Sequence, residues 1–170
     1  GQWKMAGSAA MSSDDPKLQE ILVQTLGEIR YPHAVPALKE LSERQGVLPR
    51  VKEAAERAIR ACGGEAAMSQ SVSSLYYDQA LSYYYNQDSV APDSRYNTAN
   101  VWYWVPGQGL TYSVVPREIF GYIYAMRMAR NALKYDEKFY PAISLWIAAN
   151  LQRASRLAPG QIDPTYGEDT

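Results

Sequence analysis

The stretch of sequence that decides the fold runs from residue 15 to residue 62 and reads DPKLQEILVQTLGEIRYPHAVPALKELSERQGVLPRVKEAAERAIRAC. Its first apolar residues return at the spacing of one helix face, namely Leu18, Ile21, Leu22, Leu26 and Ile29. Asp15 is a suitable N-cap, and Pro16 fits the first helical position. The sequence therefore predicts a helix that begins at Pro16 and buries this face.

The same face recurs 33 residues later, where the five apolar positions align with Val51, Ala54, Ala55, Ile59 and Cys62. Between the two copies, Pro32 ends the first helix, and Pro36 is tolerated only in the first turn of the next. We therefore expect the order helix, turn, helix, loop, helix. The first helix should pack as one core against Leu38, Leu41, Val51, Ala55 and Ile59, with Cys62 as a small core residue.

Four segments of this stretch carry a family resemblance: Asp15-Pro16, Leu26-Gly27-Glu28-Ile29, Ala34-Val35-Pro36-Ala37-Leu38 and Arg50-Val51-Lys52-Glu53-Ala54-Ala55. Together they resemble a HEAT repeat of the short type also found in phycobilisome-lyase-like proteins, over about residues 14–62. The resemblance implies an α-α superhelix of stacked helical hairpins that serves as a scaffold for protein contacts. Nothing matches a chromophore-lyase active site, so that activity is not carried over.

Charge and tyrosine content divide the chain near Gly63 and Gly64. Only five charged side chains lie between residues 65 and 115, whereas 12 of the 14 tyrosines lie between Tyr76 and Tyr140. We expect a lead-in over residues 1–13, a HEAT-like repeat over 14–64, an aromatic helical region over 65–157 and a tail over 158–170. The loop composition of this tail indicates a fragment of a larger helical-repeat protein.

The aromatic region contains further helices. Helical spacing predicts one largely buried helix over residues 67–87 and two more that begin at Pro116 and Pro141. The junction Ala129-x-x-Ala132-Leu133-Lys134-Tyr135-Asp136, followed by Ala142, resembles the junction between tetratricopeptide units, over about residues 119–150. The predicted fold class is mainly α, with HEAT-like helical hairpins followed by an aromatic helical region that carries one inserted β-hairpin.

That hairpin is predicted over residues 101–115, because two runs rich in β-branched and aromatic residues flank Pro106-Gly107-Gln108-Gly109. If the loop has four residues, the more uniformly apolar face should turn inward, with Val101, Tyr103, Val105, Leu110, Tyr112 and Val114. Trp102 and Trp104 would then stay partly reachable from solvent.

The sequence offers little catalytic chemistry. One His and one Cys are too few for a common metal or nucleophile–base site, so we predict no catalytic residue, no metal site and no cofactor. His33 is expected to be a capping or surface residue. The charges of the repeat, Lys39 and Glu40 among them, should form a solvated face with pairs such as Glu40 with Arg44.

Composition also limits the partners. A formal net charge of -1 disfavours binding to nucleic acid, and no apolar stretch is long enough for a membrane span. With a single cysteine, the chain forms no internal disulfide, which leaves the compartment open. The oligomeric state is open as well.

Two interpretations of the tyrosine-rich region remain. The tyrosines could fill a core, or some of them could join a binding patch for peptide or carbohydrate, whose candidate residues are Trp102, Trp104, Arg95, Arg117 and Tyr84. The predicted function is a non-catalytic protein–protein interaction or scaffold module, whose partner is another protein or the remainder of a longer chain. The alternative is a small-ligand-binding, carbohydrate-binding or enzymatic domain that uses this region as a pocket.

Overall fold

The computed structural model describes residues 15–167, so the predicted lead-in over 1–13 lies outside the described residues. The described chain is mainly helical with one antiparallel hairpin, which confirms the predicted fold class. None of its helices is long and apolar enough to cross a membrane. The elements in chain order are α1 (Pro16–Glu28), a 3-10 turn (Pro32–Ala34), α2 (Val35–Glu43), α3 (Pro49–Ser69), α4 (Val72–Tyr84), β1 (Thr98–Val105), β2 (Gly109–Pro116), α5 (Arg117–Tyr135) and α6 (Tyr140–Ser155).

The chain divides into two compact units. Within the described range, the first unit comprises residues 15–75 together with Trp102–Thr111. The second unit comprises Tyr76–Val101 together with residues 112–167.

Helix α1 begins as the sequence predicts. Pro16 occupies its first turn, and the Asp15 carboxylate accepts a hydrogen bond from the Lys17 backbone N–H at 2.9 Å. The helix ends in a left-handed residue, Arg30, with φ of 48°. Tyr31 N–H donates to Leu26 O across this turn, at 3.3 Å. This closure is the Schellman arrangement, in which glycine is the usual left-handed residue.

The predicted buried face of α1 is wrong in part: Leu26 is buried and Leu22 packs against the core as predicted, but Ile21 and Ile29 do not lie on the buried side. Val23 and Leu26 are buried, whereas Ile21 is 60% exposed and Ile29 is 37% exposed. The reason is a close approach to α3, because a Cβ atom placed on Gly27 would lie only 3.0 Å from the Ala58 Cβ. Successive residues lie about 100° apart around the helix axis. Because α1 contacts α3 on the side that carries Gly27, its buried face is rotated by roughly a quarter turn from the predicted face.

The predicted core of α2 and α3 is confirmed. Leu38, Leu41, Val51, Ala55 and Ile59 are all fully buried. Helix α3 contacts both α1 and α2, so residues over a broad part of its circumference face the core.

Cys62 lies on the margin of this core. It is partly buried, and its Sγ donates to Leu26 O at 3.4 Å. Burial raises the pKa of the Cys62 thiol, against a smaller opposite effect of a backbone hydrogen bond from Tyr31. The sequence predicts Cys62 as a core residue, whereas in the structure the thiol is only partly buried and lies at the margin of the core.

Lys39 corrects the prediction of a wholly solvated charged face. This lysine is buried, and its Nζ donates to Met68 O at 2.7 Å. Helix α3 is interrupted at Gly64, which has φ of 70°, a conformation that favours glycine. Because Met68 is close to the C-terminus of the short segment after this break, Lys39 satisfies a terminal carbonyl. The predicted pair of Glu40 with Arg44 is confirmed, at 3.3 Å.

The predicted helix over residues 67–87 is shorter in the structure. Residues 67–69 belong to α3, and α4 begins at Val72. The Ser71 hydroxyl accepts from Ser74 N–H at 3.1 Å, which starts the new helix. At the other end, Asn86 adopts φ of 49°, and Gln87 N–H donates to Ser82 O at 3.0 Å. A serine cap and a left-handed asparagine therefore set the two limits.

The hairpin is present and Val101 of β1 is buried as predicted, but the inward face predicted for β2 is wrong. Gln108 N–H donates to Val105 O at 3.1 Å, and Gly107 has φ of 80°, as in a type II turn. Strand β2 begins at Gly109, so the loop has three residues instead of four. A shift of one residue moves every side chain of a strand to the other face. Accordingly, the side chains predicted to turn inward on β2 are exposed: Leu110, Tyr112 and Val114.

The second unit is built around the contact between α5 and α6. The small residues along these helices are fully buried, namely Ala125, Ala129, Ala132, Ala142 and Ala149. The link between the helices is closed by Asp136, whose carboxylate accepts from Lys138 N–H at 3.0 Å and whose carbonyl accepts from Phe139 N–H at 3.1 Å. Buried alanines are small enough to let packed helices approach closely.

Candidate functional site

A cleft of about 760 Å³ opens in the second unit. Its walls are the end of α4, the loop that follows, and the first turns of α5. We call it the α4–α5 cleft and define it by Tyr84, Asn86, Asp88, Arg117, Tyr122 and Arg156.

Gly121 brings the two helices of the cleft together. A Cβ atom on Gly121 would lie 2.7 Å from Tyr83 O, so α5 approaches the end of α4 at a point where only glycine fits. This approach places the rings of Tyr84 and Tyr122 edge to face, with centroids 5.7 Å apart. Behind them, Tyr83 is buried and stacks on Tyr124 at 4.9 Å. The stacked rings of Tyr83 and Tyr124 thus lie behind the tyrosines that line the cleft.

Arg117 fixes the loop that forms the opposite wall. Its Nη1 donates to Ser94 O at 2.6 Å, and its backbone N–H donates to Asn97 O at 2.9 Å. The guanidinium also lies 3.9 Å from the Glu118 carboxylate. Since these contacts tie the loop to the start of α5, Arg117 holds the wall as well as lining the cleft.

Arg95 lies outside the cleft but forms hydrogen bonds to the carboxylate of Asp93, which lines the cleft. Arg95 Nε donates to Asp93 Oδ1 at 3.0 Å, and the Arg95 backbone N–H donates to the same oxygen at 3.0 Å. These hydrogen bonds from Arg95 lower the pKa of Asp93 to about 2. Asp93 is therefore anionic near neutral pH, and Arg95 balances its charge.

The charges of the cleft cancel. Its charged side chains are Arg117, Arg156, Asp88, Asp93 and Glu118. Arg95 neutralises Asp93, so the remaining charges are the two arginines Arg117 and Arg156 and the two carboxylates of Asp88 and Glu118. Arg156 Nε donates only a long hydrogen bond, 3.3 Å, to Gln152 Oε1. The cleft thus offers cationic donors and anionic acceptors in equal number.

The structure brings together Tyr84 and Arg117 of the predicted binding residues, with Arg95 next to the wall through Asp93. Trp102 and Trp104 are half-buried on β1 and belong to the first unit. Their role in binding stays a prediction.

Sequence reasoning missed Tyr122, Asn86, Asp88 and Arg156. A signal existed for Tyr122, because Gly121 lies inside a helix, and such a glycine often has a packing reason such as a close backbone approach. For Arg156, which follows the end of α6, no comparable signal exists in the sequence.

A second surface of interest is the outward side of α6. Tyr140 is 69% exposed, Ile147 is 51% exposed and Leu151 is 66% exposed. Spacings of seven and four residues place them on one side of the helix, which we call the outer face of α6. The only charged residue of this helix is Arg153, which is buried. The outer face therefore carries no charge, and Ser144 adds one exposed hydroxyl between Tyr140 and Ile147.

Arg153 forms a buried polar network with the segment after α6. Its Nε pairs with Asp163 Oδ2 at 2.5 Å, and its Nη2 donates to Thr165 Oγ1 at 2.8 Å. Thr165 N–H donates to Asp163 Oδ1 at 2.8 Å. Burial by itself would raise the pKa of Asp163, but the hydrogen bonds from Arg153 and Thr165 outweigh it and hold this pKa below its ordinary value. Asp163 and Thr165 are thus buried parts of the second unit, although their segment has the composition of a loop.

Within residues 15–167, no group of three or more His, Cys, Asp or Glu side chains is placed to hold a metal ion. Comparison of the chain with protein-family models, with curated proteins and with solved structures finds no match. The HEAT-like and tetratricopeptide-like resemblances therefore stay predictions.

Proposed function

We propose that the protein is a non-catalytic interaction module that contacts a partner protein, or a further part of a longer chain, through the outer face of α6. The observation that carries the proposal is the exposure of Tyr140, Ile147 and Leu151 on a face without charge.

Aligned apolar side chains left in water cost free energy, which burial against a partner would recover. Single exposed apolar residues are common, whereas aligned ones mark contact surfaces. From Tyr140 to Leu151 the face extends about 17 Å at 1.5 Å per residue. Helical hairpins of repeat proteins cover such faces by stacking a further helix against them. We therefore expect the occupant to present the apolar side of a helix.

The test compares wild type with the double variant Ile147→Ser, Leu151→Ser in a quantitative affinity capture from the source cell lysate. The matched control is Ile21→Ser, which replaces a similarly exposed isoleucine of α1. Proteins that wild type and the control retain, and that the double variant loses, support the proposal.

A captured set that is identical for all three proteins contradicts it. Thermal unfolding of each variant provides the necessary check on folding, because side chains on an exposed face should leave the midpoint nearly unchanged. A large drop in the double variant would show that the face belongs to the core of the protein.

A further inference from the structure

We infer that the α4–α5 cleft binds a neutral oligosaccharide. This inference goes beyond the proposed function, because it concerns a different surface and a different class of ligand. It rests on the volume of the cleft, on the balance of its charges and on its combination of tyrosine rings with polar groups.

The volume fits a small ligand or a few sugar units. Ligand sites in proteins commonly enclose about 300–1,000 Å³, and the cleft has about 760 Å³. Its floor is fixed, since the contact of Gly121 with Tyr83 O and the bond from Arg117 to Ser94 O hold three chain segments together. A ligand would therefore meet a site whose walls are already formed.

The balance of charge argues against an ionic ligand. An anion would be attracted by Arg156 but repelled by the carboxylates of Asp88 and Glu118. A cation would be attracted by these carboxylates but repelled by Arg156. Neutral hydroxyl groups face neither penalty. Since a hydroxyl both donates and accepts, it can accept from a guanidinium and donate to a carboxylate in the same site. Asn86 adds an amide that can do both.

The tyrosine rings supply the apolar part of such a site. Tyr84 and Tyr122 are both partly exposed at the cleft, and each combines an apolar ring with a polar hydroxyl. A sugar ring has the complementary character, with C–H groups on its faces and hydroxyls around its edge.

The same geometry disfavours an extended peptide. Peptides add to a strand edge, lie in an apolar groove between helices, or dock as polyproline helices between separated aromatic rings. The α4–α5 cleft contains no strand. The rings of Tyr84 and Tyr122 contact each other at 5.7 Å, which leaves no gap for a proline ring between them.

The test measures binding by isothermal titration calorimetry with three kinds of probe. The first are neutral pentasaccharides of glucose, mannose or xylose. The second are anionic oligosaccharides that carry sulfate or uronic acid groups, and the third is a proline-rich decapeptide. We expect at least one neutral pentasaccharide to bind. We expect Tyr122→Ala and Asp88→Asn each to weaken that binding by about tenfold or more, since truncation at the centre of a binding site has effects of this size.

The matched controls are Tyr166→Ala and Glu137→Gln, which alter exposed residues of the same unit outside the cleft and should bind like wild type. Asp88→Asn keeps the shape of an exposed side chain, so it tests the site even if Tyr122→Ala unfolds. Binding of the anionic sugars alone, binding of the peptide alone, no binding at millimolar concentration, or binding that neither cleft variant changes would each overturn the inference. None of these results bears on the outer face of α6.

Discussion

Gly121 of α5 lies directly against the backbone carbonyl of Tyr83 at the end of α4, so closely that a Cβ atom on Gly121 would be 2.7 Å from the carbonyl oxygen. The two residues are far apart in the sequence, yet this contact sets the distance between the helices at the cleft.

The first prediction concerns this contact. Gly121→Ala should destabilise the protein by about 1–3 kcal/mol, because the new methyl group meets a backbone atom that cannot move aside. This cost should exceed the gain in helix propensity, about 1 kcal/mol. Urea denaturation measures the difference. Gly27→Ala is the control and should cost less, since its methyl group would meet the Ala58 side chain at 3.0 Å. A neutral Gly121→Ala would contradict the close approach.

The second prediction concerns the core face of α1. Val23→Ala should cost roughly 2 kcal/mol, from two buried carbon groups at about 0.8 kcal/mol each plus the cavity that they leave. Ile21→Ala should change the free energy of unfolding by less than about 0.5 kcal/mol, because Ile21 is exposed. Equal losses for the two variants would show that the helix is rotated differently from the structure.

The third prediction concerns the left-handed residue at the end of α1. Arg30→Gly should stabilise the protein by about 0.5–1 kcal/mol, because a non-glycine residue with φ of 48° is strained. Asn86→Gly, at φ of 49°, should gain less, since asparagine tolerates this conformation. Thermal and urea unfolding would measure both changes. A destabilised Arg30→Gly would mean that the arginine side chain contributes more than the strain costs.

The fourth prediction concerns pH. The pKa of Asp163 is lower in the folded protein than its ordinary value, so folding favours the carboxylate. Its contribution to stability is therefore complete above the unfolded pKa of about 3.9, and it is lost as the pH falls towards the folded pKa. Unfolding free energies measured between pH 7 and pH 3 should decrease accordingly.

In Asp163→Asn, this part of the pH dependence should disappear. The variant should also lose about 3–5 kcal/mol at pH 7, because the buried Arg153 guanidinium loses its counter-charge. Glu137→Gln, an exposed carboxylate of the same unit, serves as the control and should behave like wild type. An Asp163→Asn variant with the wild-type pH profile would contradict the network.

The sequence predicted several elements from local signals. Asp15 and Pro16 marked the start of α1, Pro36 marked the first turn of α2, and the Pro106–Gly109 segment marked the hairpin loop. Each of these residues restricts its own backbone, so a short window of sequence is sufficient.

The faces of these elements were harder to predict, because they depend on residues that carry no hydrophobic signal. Gly27 determines which side of α1 is buried, yet a glycine does not contribute to an apolar pattern. Gly109 begins β2 and so reverses its two faces. For the cleft, Tyr84 and Arg117 could be chosen by residue type, whereas Asn86 and Arg156 come to it only through the tertiary structure.

The Arg153 network also determines how short a folded version of this protein can be. Helix α6 ends at Ser155, and a truncation designed from secondary structure alone would stop soon afterwards. Such a protein would keep a guanidinium in its interior without Asp163 or Thr165 to receive its hydrogen bonds. A C-terminal boundary for expression should therefore lie beyond Thr165, ten residues after the last helical residue.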